Sequence, residues 1–118
     1  KFGTYTVRAK EEEEAEQLLD DALMLERIGC FAIVLEKVPA TLAKKVAEAL
    51  RIPIIGIGAG NGVDGQVLVT HDMIGMTHEF NPRFLRRYLD LYADMTGAFE
   101  NYITDVKSGD FPTDKEQY

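Results

Sequence analysis

Residues 30–38 have the sequence CFAIVLEKV, and this stretch decides the fold. Its first six residues are all apolar or small, which is typical of a parallel strand that is buried on both faces. Glu36 follows at the C-terminal end of the predicted strand. Sites of α/β proteins form at that end of the strands, where a carboxylate suits general acid–base catalysis. Such an acid can equally cap the next helix, so its position alone leaves both interpretations open.

Helix patterns flank this strand on both sides. Residues 11–29 place apolar side chains at helical spacing behind four successive glutamates. Negative charge stabilises a helix N-terminus, so the glutamates are expected to be a solvated helix start rather than a metal cluster. Gly29 suits a left-handed helix stop. After the strand, Pro39 opens a second helix pattern, TLAKKVAEAL, with Leu42, Val46, Ala47 and Leu50 on one face. Residues 1–10 are predicted to be a loop or an edge segment.

Two further strands are predicted downstream. Residues 52–60, IPIIGIGAG, combine β-branched side chains with three glycines, which serve either a close approach to a phosphate or tight packing of a turn. The spacing does not match the dinucleotide-binding fingerprint. Residues 66–75, QVLVTHDMIG, predict a third strand that ends in His71 and Asp72. His71 is either a hydrogen-bonding group of a pocket or a structural histidine.

Residues 82–106 predict a long helix that starts at Asn81-Pro82 and ends at SGDFP, residues 108–112. Its aromatic stripe is expected to pack in a core or against another subunit, and it includes Tyr88, Tyr92, Phe99 and Tyr102. Helices that alternate with apolar strands imply an α/β fold with parallel crossovers. Three parallel strands form a poor domain, because a parallel sheet needs both faces covered. The chain therefore predicts either a small open sheet or part of a larger barrel.

Composition narrows the classes of partner. The 118 residues fit one domain, and a net charge of −7 disfavours nucleic acid and anionic membrane surfaces as partners. No stretch approaches the roughly 18 apolar residues of a membrane span. The single cysteine, Cys30, lies in an apolar run and is interpreted as a small buried side chain rather than a nucleophile. One cysteine fits a reducing compartment, and we expect a cytoplasmic location.

Three segments of the chain resemble the ketopantoate (3-methyl-2-oxobutanoate) hydroxymethyltransferase family. They are AIVLEKVPATLAKKVAEAL at residues 32–50, IPIIGIGAGNGVDGQVLVTHDMIG at residues 52–75, and the closing helix with its SGDFP. The resemblance runs from about residue 2 to residue 112. It implies that residues 1–118 are the C-terminal portion, about the last three strands with their helices, of a single (β/α)8 TIM-barrel domain.

The resemblance also implies an activity. Members of the family transfer a hydroxymethyl group from 5,10-methylenetetrahydrofolate to 3-methyl-2-oxobutanoate, giving 2-dehydropantoate in pantothenate biosynthesis. A Mg²⁺ ion holds the keto acid, and a catalytic glutamate, which Glu36 matches, accepts a proton. Which proton Glu36 transfers is left open, and no folate-binding residue is assigned.

The family's metal ligands and its substrate-binding lysine and histidine come from earlier strands. We therefore expect no metal ligand in this chain, which also starts at Lys1 rather than Met. We expect it to belong with an N-terminal part of the same protein, to be inactive alone, and to act in a homo-oligomer.

Two other functions are considered. One is a different Mg²⁺-dependent keto-acid barrel enzyme, of the phosphoenolpyruvate mutase and isocitrate lyase type. The other is a non-catalytic half-barrel that associates through its open face.

Overall fold

The computed structural model describes residues 5–118, with side chains from residue 11 onward, and divides into two compact units. The first unit extends to Val67 and the second begins at Leu68. The first unit is an α/β structure with a parallel three-stranded sheet of order β1-β2-β3. Its elements, in chain order, are α1 (Tyr5–Arg27), β1 (Ile33–Glu36), α2 (Ala40–Ala49), β2 (Ile54–Ile57) and β3 (Gly65–Gln66). The α/β class predicted from the sequence is confirmed.

Strand β1 has two different faces. Ile33 and Leu35 are buried, whereas Val34 and Glu36 are exposed, because successive side chains of a strand point to opposite sides. The buried face packs on the helices in one core, made of Ala22, Ile33, Leu35, Ala43, Val46, Leu50, Ile54 and Ala59. The helices of the first unit do not cover the opposite face, and Val34 is 61% exposed. The strand that was predicted to be buried on both faces is thus buried on one.

Helix α1 begins earlier than the sequence predicted. It starts at Tyr5, so the prediction of a loop or edge segment for residues 1–10 is wrong for residues 5–10, and residues 1–4 lie outside the described part. Near its other end, the Glu26 carboxylate accepts hydrogen bonds from the backbone N–H groups of Arg51 and Ile52. One acid of α1 therefore fixes the connection between α2 and β2.

Helix α2 forms where the pattern predicted it. Pro39 is its N-cap residue, and the helix buries Ala43 and Val46. Leu42 and Ala47 are partly buried against the same core. Helix α2 thus covers the buried face of β1 and β2 with the stripe that its 3–4 spacing indicated.

The third predicted strand is mostly absent. The paired part of this segment is Gly65–Gln66, which pairs with β2 and places Gly65 opposite Ile55. Further along the chain, Thr70–Met73 form the short helix α3, which belongs to the second unit. His71 and Asp72 therefore lie on a helical turn and not at the end of a strand. The apolar residues Val67 to Val69 suggested a longer strand, but only the N–H of Val67 continues the pairing, by donating to the Gly56 carbonyl at 3.0 Å.

The long C-terminal helix, α4 (Leu91–Ser108), begins later than predicted. Its N-cap is Asp90, whose side chain accepts a hydrogen bond from the backbone N–H of Ala93. Asn81-Pro82 is therefore not its start. Gly109 ends α4 with φ 79°, as the SGDFP segment suggested. A 3-10 helix, Asp114–Glu116, follows with a capping box between Thr113 and Glu116.

The segment before α4 is held by backbone bonds and by one arginine. The N–H groups of Tyr88, Leu91 and Tyr92 donate to the carbonyls of Met73, Ile74 and Gly75. The Arg87 guanidinium donates to the side chain of Asn81 and to the carbonyls of Thr77 and Phe80. These bonds hold residues 77–90 as an irregular loop.

Helix α4 carries no buried residue within the described part of the chain. The aromatic side chains of the predicted stripe are exposed: Tyr88, Tyr92, Phe99 and Tyr102. Packing in a core of the described residues is thus not observed, and subunit contact stays a prediction. None of the helices in the described residues is both long and apolar enough to cross a membrane.

Candidate functional site

Glu36 is the last residue of β1 and lies in parallel register with Ile57 of β2. Its carboxylate is on the uncovered face of the sheet, together with Val34. Across the side chains that the structure describes, no hydrogen bond to this carboxylate is found. In particular, the N-cap residue of α2 is Pro39, and no side-chain hydrogen bond caps this helix there. The capping interpretation is therefore not supported, and the catalytic interpretation stays a prediction.

The chain turns sharply after Glu36. Lys37 has φ 54°, in the left-handed region, and its N–H donates to the Ile57 carbonyl at 2.9 Å. Lys37 forms no ion pair with Glu36 among the placed side chains. It lines a groove of about 580 Å³ between α1 and the start of α2, which also contains Glu14, Thr41 and Lys45.

The glycine-rich segment packs against α2. A Cβ added at Gly60, where φ is +79°, would come within 2.5 Å of the Ala40 Cβ. Gln66 donates from Nε2 to the Gly60 carbonyl at 2.8 Å and closes the loop. The residues after the glycines form β3 and not a helix, so the helix N-terminus that a phosphate site uses does not follow. These contacts support the interpretation that the glycines serve tight packing.

His71 and Asp72 do not form a site in the described structure. His71 is exposed and Asp72 half-buried, both on the short helix α3. Within the residues whose side chains are placed, no group of three His, Cys, Asp or Glu side chains could hold a metal ion. The described residues therefore supply no three-ligand site for Mg²⁺. Cys30 is half-buried and free.

A polar cluster that the sequence pattern did not indicate lies at the start of α4. His78 Nε2 lies 2.8 Å from Asp90 Oδ1, and the His78 ring contacts Tyr92 at a tilt of 43° with centroids 4.4 Å apart. The hydrogen bond from His78 and then that from the Ala93 N–H lower the pKa of Asp90 below its ordinary value. An aspartate directly before an apolar helix pattern was the signal that could have revealed this cap.

In chemical terms, the first unit presents one carboxylate at a strand end. An unpaired carboxylate on an apolar sheet face can accept or donate a proton once a substrate lies against that face. It cannot by itself bind and orient a substrate.

Comparisons with known proteins agree on one family. The sequence model of ketopantoate hydroxymethyltransferase matches residues 1–114. A 3-methyl-2-oxobutanoate hydroxymethyltransferase from Christiangramia forsetii is 76% identical over all 118 residues, which cover 43% of that protein. Proteins of the same name from Flavobacterium johnsoniae and Phocaeicola vulgatus are 69% and 68% identical over the same extent. The chain thus spans less than half the length of these curated relatives.

Proposed function

This chain belongs to the ketopantoate hydroxymethyltransferase family, and from that premise we propose that it is part of an enzyme that makes 2-dehydropantoate. The enzyme transfers a hydroxymethyl group from 5,10-methylenetetrahydrofolate to 3-methyl-2-oxobutanoate. The observation that carries the proposal is the 76% identity, along the full chain, to a protein named for this transfer. The family assignment also favours this activity over that of the phosphoenolpyruvate mutase and isocitrate lyase type.

The fold supports a role as one portion of a (β/α)8 barrel. The three strands are parallel, and the helices of the first unit pack on one face of the sheet. The other face carries Val34, which is 61% exposed, and Glu36. The exposure of an apolar side chain on this face is explained if further strands close the sheet into a barrel, because the face would then point into the barrel interior. Residues 1–118 then act as the C-terminal portion of a single barrel domain.

Glu36 is assigned the proton-transfer role. It ends β1, and in barrel enzymes the reacting groups lie at the C-terminal ends of the strands. The transfer forms a carbon–carbon bond at the carbon beside the keto group, so a proton must leave that carbon. A carboxylate on the inner face of a closed barrel, shielded from bulk water, is suited to accept it.

The metal and most substrate contacts are assigned to the rest of the protein. The described residues supply no three-ligand site for Mg²⁺. Its ligands are expected on strands that precede this chain. The partners of this chain are therefore the remaining portion of the same protein, the keto acid and the folate.

The test uses a full-length chimera in which this chain replaces the matching segment of the Christiangramia forsetii relative. We expect folate-dependent formation of 2-dehydropantoate by the chimera and none by the isolated 118 residues. Glu36→Gln should lower kcat by about 10²- to 10⁴-fold, the usual contribution of a general base. Glu48→Gln, at an exposed position of α2, is the matched control and should leave kcat unchanged.

Three results would contradict the proposal. An inactive but folded chimera would refute the activity assigned to this chain, and full activity of Glu36→Gln would refute the role of Glu36. Activity of the isolated chain would show that the site does not need the remaining portion.

A cytoplasmic homo-oligomer is part of the same proposal. The exposed apolar side chains of α4, such as Phe99 and Ile103, are available for contacts between subunits. Light scattering of the chimera measures the oligomeric state, and a monomer would contradict this part.

A further inference from the structure

Lys37 has an unusual backbone conformation. It is the one residue other than glycine with a positive φ within the described chain, at 54°. The left-handed region is disfavoured for residues with a Cβ, and Asn, Asp and Gly adopt it most readily. Such backbone outliers concentrate at functional sites, where surrounding structure holds them in place. Lys37 directly follows Glu36, the one candidate catalytic residue of the chain.

The backbone around Lys37 holds this conformation. Its N–H donates to the Ile57 carbonyl at 2.9 Å, which extends the β1–β2 pairing one residue beyond Glu36. Only Val38 and Pro39 then remain before α2 begins at Ala40. The chain must leave the sheet within these three residues, and the left-handed residue makes the turn. Glu36 can therefore keep its extended strand conformation up to the last residue of β1.

Lys37 forms no ion pair with Glu36 among the residues that the structure describes. It lines the groove with Glu14, Thr41 and Lys45, between α1 and α2. The Lys37 ammonium group therefore does not hold Glu36 through a direct contact. The link between the two residues runs through the backbone.

We propose that the left-handed turn at Lys37 is a positioning device that holds the Glu36 carboxylate on the sheet face shared with Val34. Lys37 is thus a positioning residue, and this role rests on the proposed function of Glu36. The requirement is for a residue that tolerates positive φ, and not for a positive charge.

Matched substitutions in the chimera separate backbone from charge. Lys37→Asn and Lys37→Val both remove the ammonium group, but only Asn readily adopts the left-handed conformation. We expect Lys37→Asn to keep kcat within about twofold of the unsubstituted value, because the turn is preserved. Lys37→Val should lower kcat by about 10-fold or more with little change in KM, because small misplacements of a reacting group reduce the rate strongly. Lys37→Thr, which is also β-branched but polar, should give a comparable loss and keeps the test decidable if the Val variant does not fold.

A second background shows whether the effect passes through Glu36. In Glu36→Gln protein, Lys37→Val and Lys37→Asn should have equal residual kcat, because the group to be positioned is gone. A purely structural role would lower the melting temperature in both backgrounds and leave the kcat ratio of the two variants unchanged. Three results would each overturn the proposal: equal losses for Asn and Val, a Val-specific loss that persists in the Glu36→Gln background, or no loss for Val and Thr.

Crystal structures give an outcome independent of activity. In Lys37→Val, the bond to the Ile57 carbonyl should be lost and the Glu36 carboxylate displaced from the sheet face, while Lys37→Asn keeps both. An inactive chimera would refute the proposed function, and these structures would still decide the positioning role. Unchanged Glu36 positions in the Val and Thr structures would refute it.

Discussion

Asp64 and Ile54 are joined by two hydrogen bonds in opposite directions. The Asp64 Oδ2 accepts the Ile54 N–H at 2.8 Å, and the Asp64 N–H donates to the Ile54 carbonyl at 2.9 Å. The side chain thus satisfies a backbone donor at the first residue of β2, where the neighbouring strand β3 has not yet begun. One aspartate extends the pairing of the sheet beyond the two residues of β3.

Removing this carboxylate should weaken the first unit. We expect Asp64→Ala to lower the free energy of unfolding by about 1–3 kcal/mol, because it leaves the Ile54 N–H without its partner. Asp64→Asn keeps a side-chain oxygen and should cost less. Urea denaturation of the full-length chimera measures both, and equal stability of the Ala variant and the unsubstituted protein would contradict the role of Asp64.

A substitution at Gly60 tests the packing of the glycine segment. Gly60→Ala should destabilise the protein by about 2–4 kcal/mol, because the residue is left-handed and the new Cβ would overlap that of Ala40. Gly29→Ala is the matched control, since its φ is +105° but no atom lies within 4 Å of the added Cβ. It should cost only about 1–2 kcal/mol, which is the backbone penalty of a left-handed residue with a Cβ. Denaturant midpoints that fall equally for both variants would show that contact with α2 is unimportant.

The cap of α4 should respond to acid. The pKa of Asp90 lies below its ordinary value of 3.8, because the folded chain hydrogen-bonds the ionised carboxylate through His78 and the Ala93 N–H. Its contribution to stability is therefore fully present above pH 3.8 and is lost as pH falls through the lowered, folded-state pKa.

The measurement compares thermal unfolding of the Asp90→Asn variant and the unsubstituted protein across this range. Asn keeps the capping oxygen but carries no charge. We expect the difference in melting temperature to be constant near neutral pH and to shrink below pH 3.8. A difference that grows on acidification would mean that the sign of the pKa shift is wrong.

The proposed barrel predicts protection of Val34. In a Cys30→Ala background, a thiol introduced by Val34→Cys should react with a water-soluble reagent about 10-fold or more slowly than one introduced by Glu48→Cys, because further strands would cover the sheet face. Val34 is 61% exposed in the described chain. Equal labelling rates in the full-length chimera would indicate that this face remains open.

The elements with strong local patterns were predicted well. The apolar run before Glu36, the β-branched run before the glycines and the 3–4 spacing of α2 each lead to an observed element. In these segments local preference and tertiary packing agree, so the sequence pattern is sufficient. The position of Glu36 at the end of β1 followed from the same pattern.

The errors fall where long-range hydrogen bonds override the pattern. Helical spacing continues from Phe84 through Tyr88 into α4, and it suggested a helix from residue 82 onward. Arg87 instead donates to the carbonyls of Thr77 and Phe80, which holds the preceding residues in a loop. Apolar periodicity contains no information on such a bond between a side chain and a distant carbonyl. The exposure of one face of β1 could not be predicted either. An apolar run indicates that both faces of a strand are buried, but not whether the element that covers the second face belongs to the same segment of chain.

The two faces of β1 also limit which changes in chain length this segment can accept. Ile33 and Leu35 point into the core, so Val34 and Glu36 must point to the other side. Deleting or inserting one residue between Ala32 and Glu36 would exchange the two faces, placing the acid against the helices and an aliphatic side chain on the open side. A point substitution alters one side chain, but an insertion or deletion of an odd number of residues here would disrupt the core and displace the candidate acid at the same time.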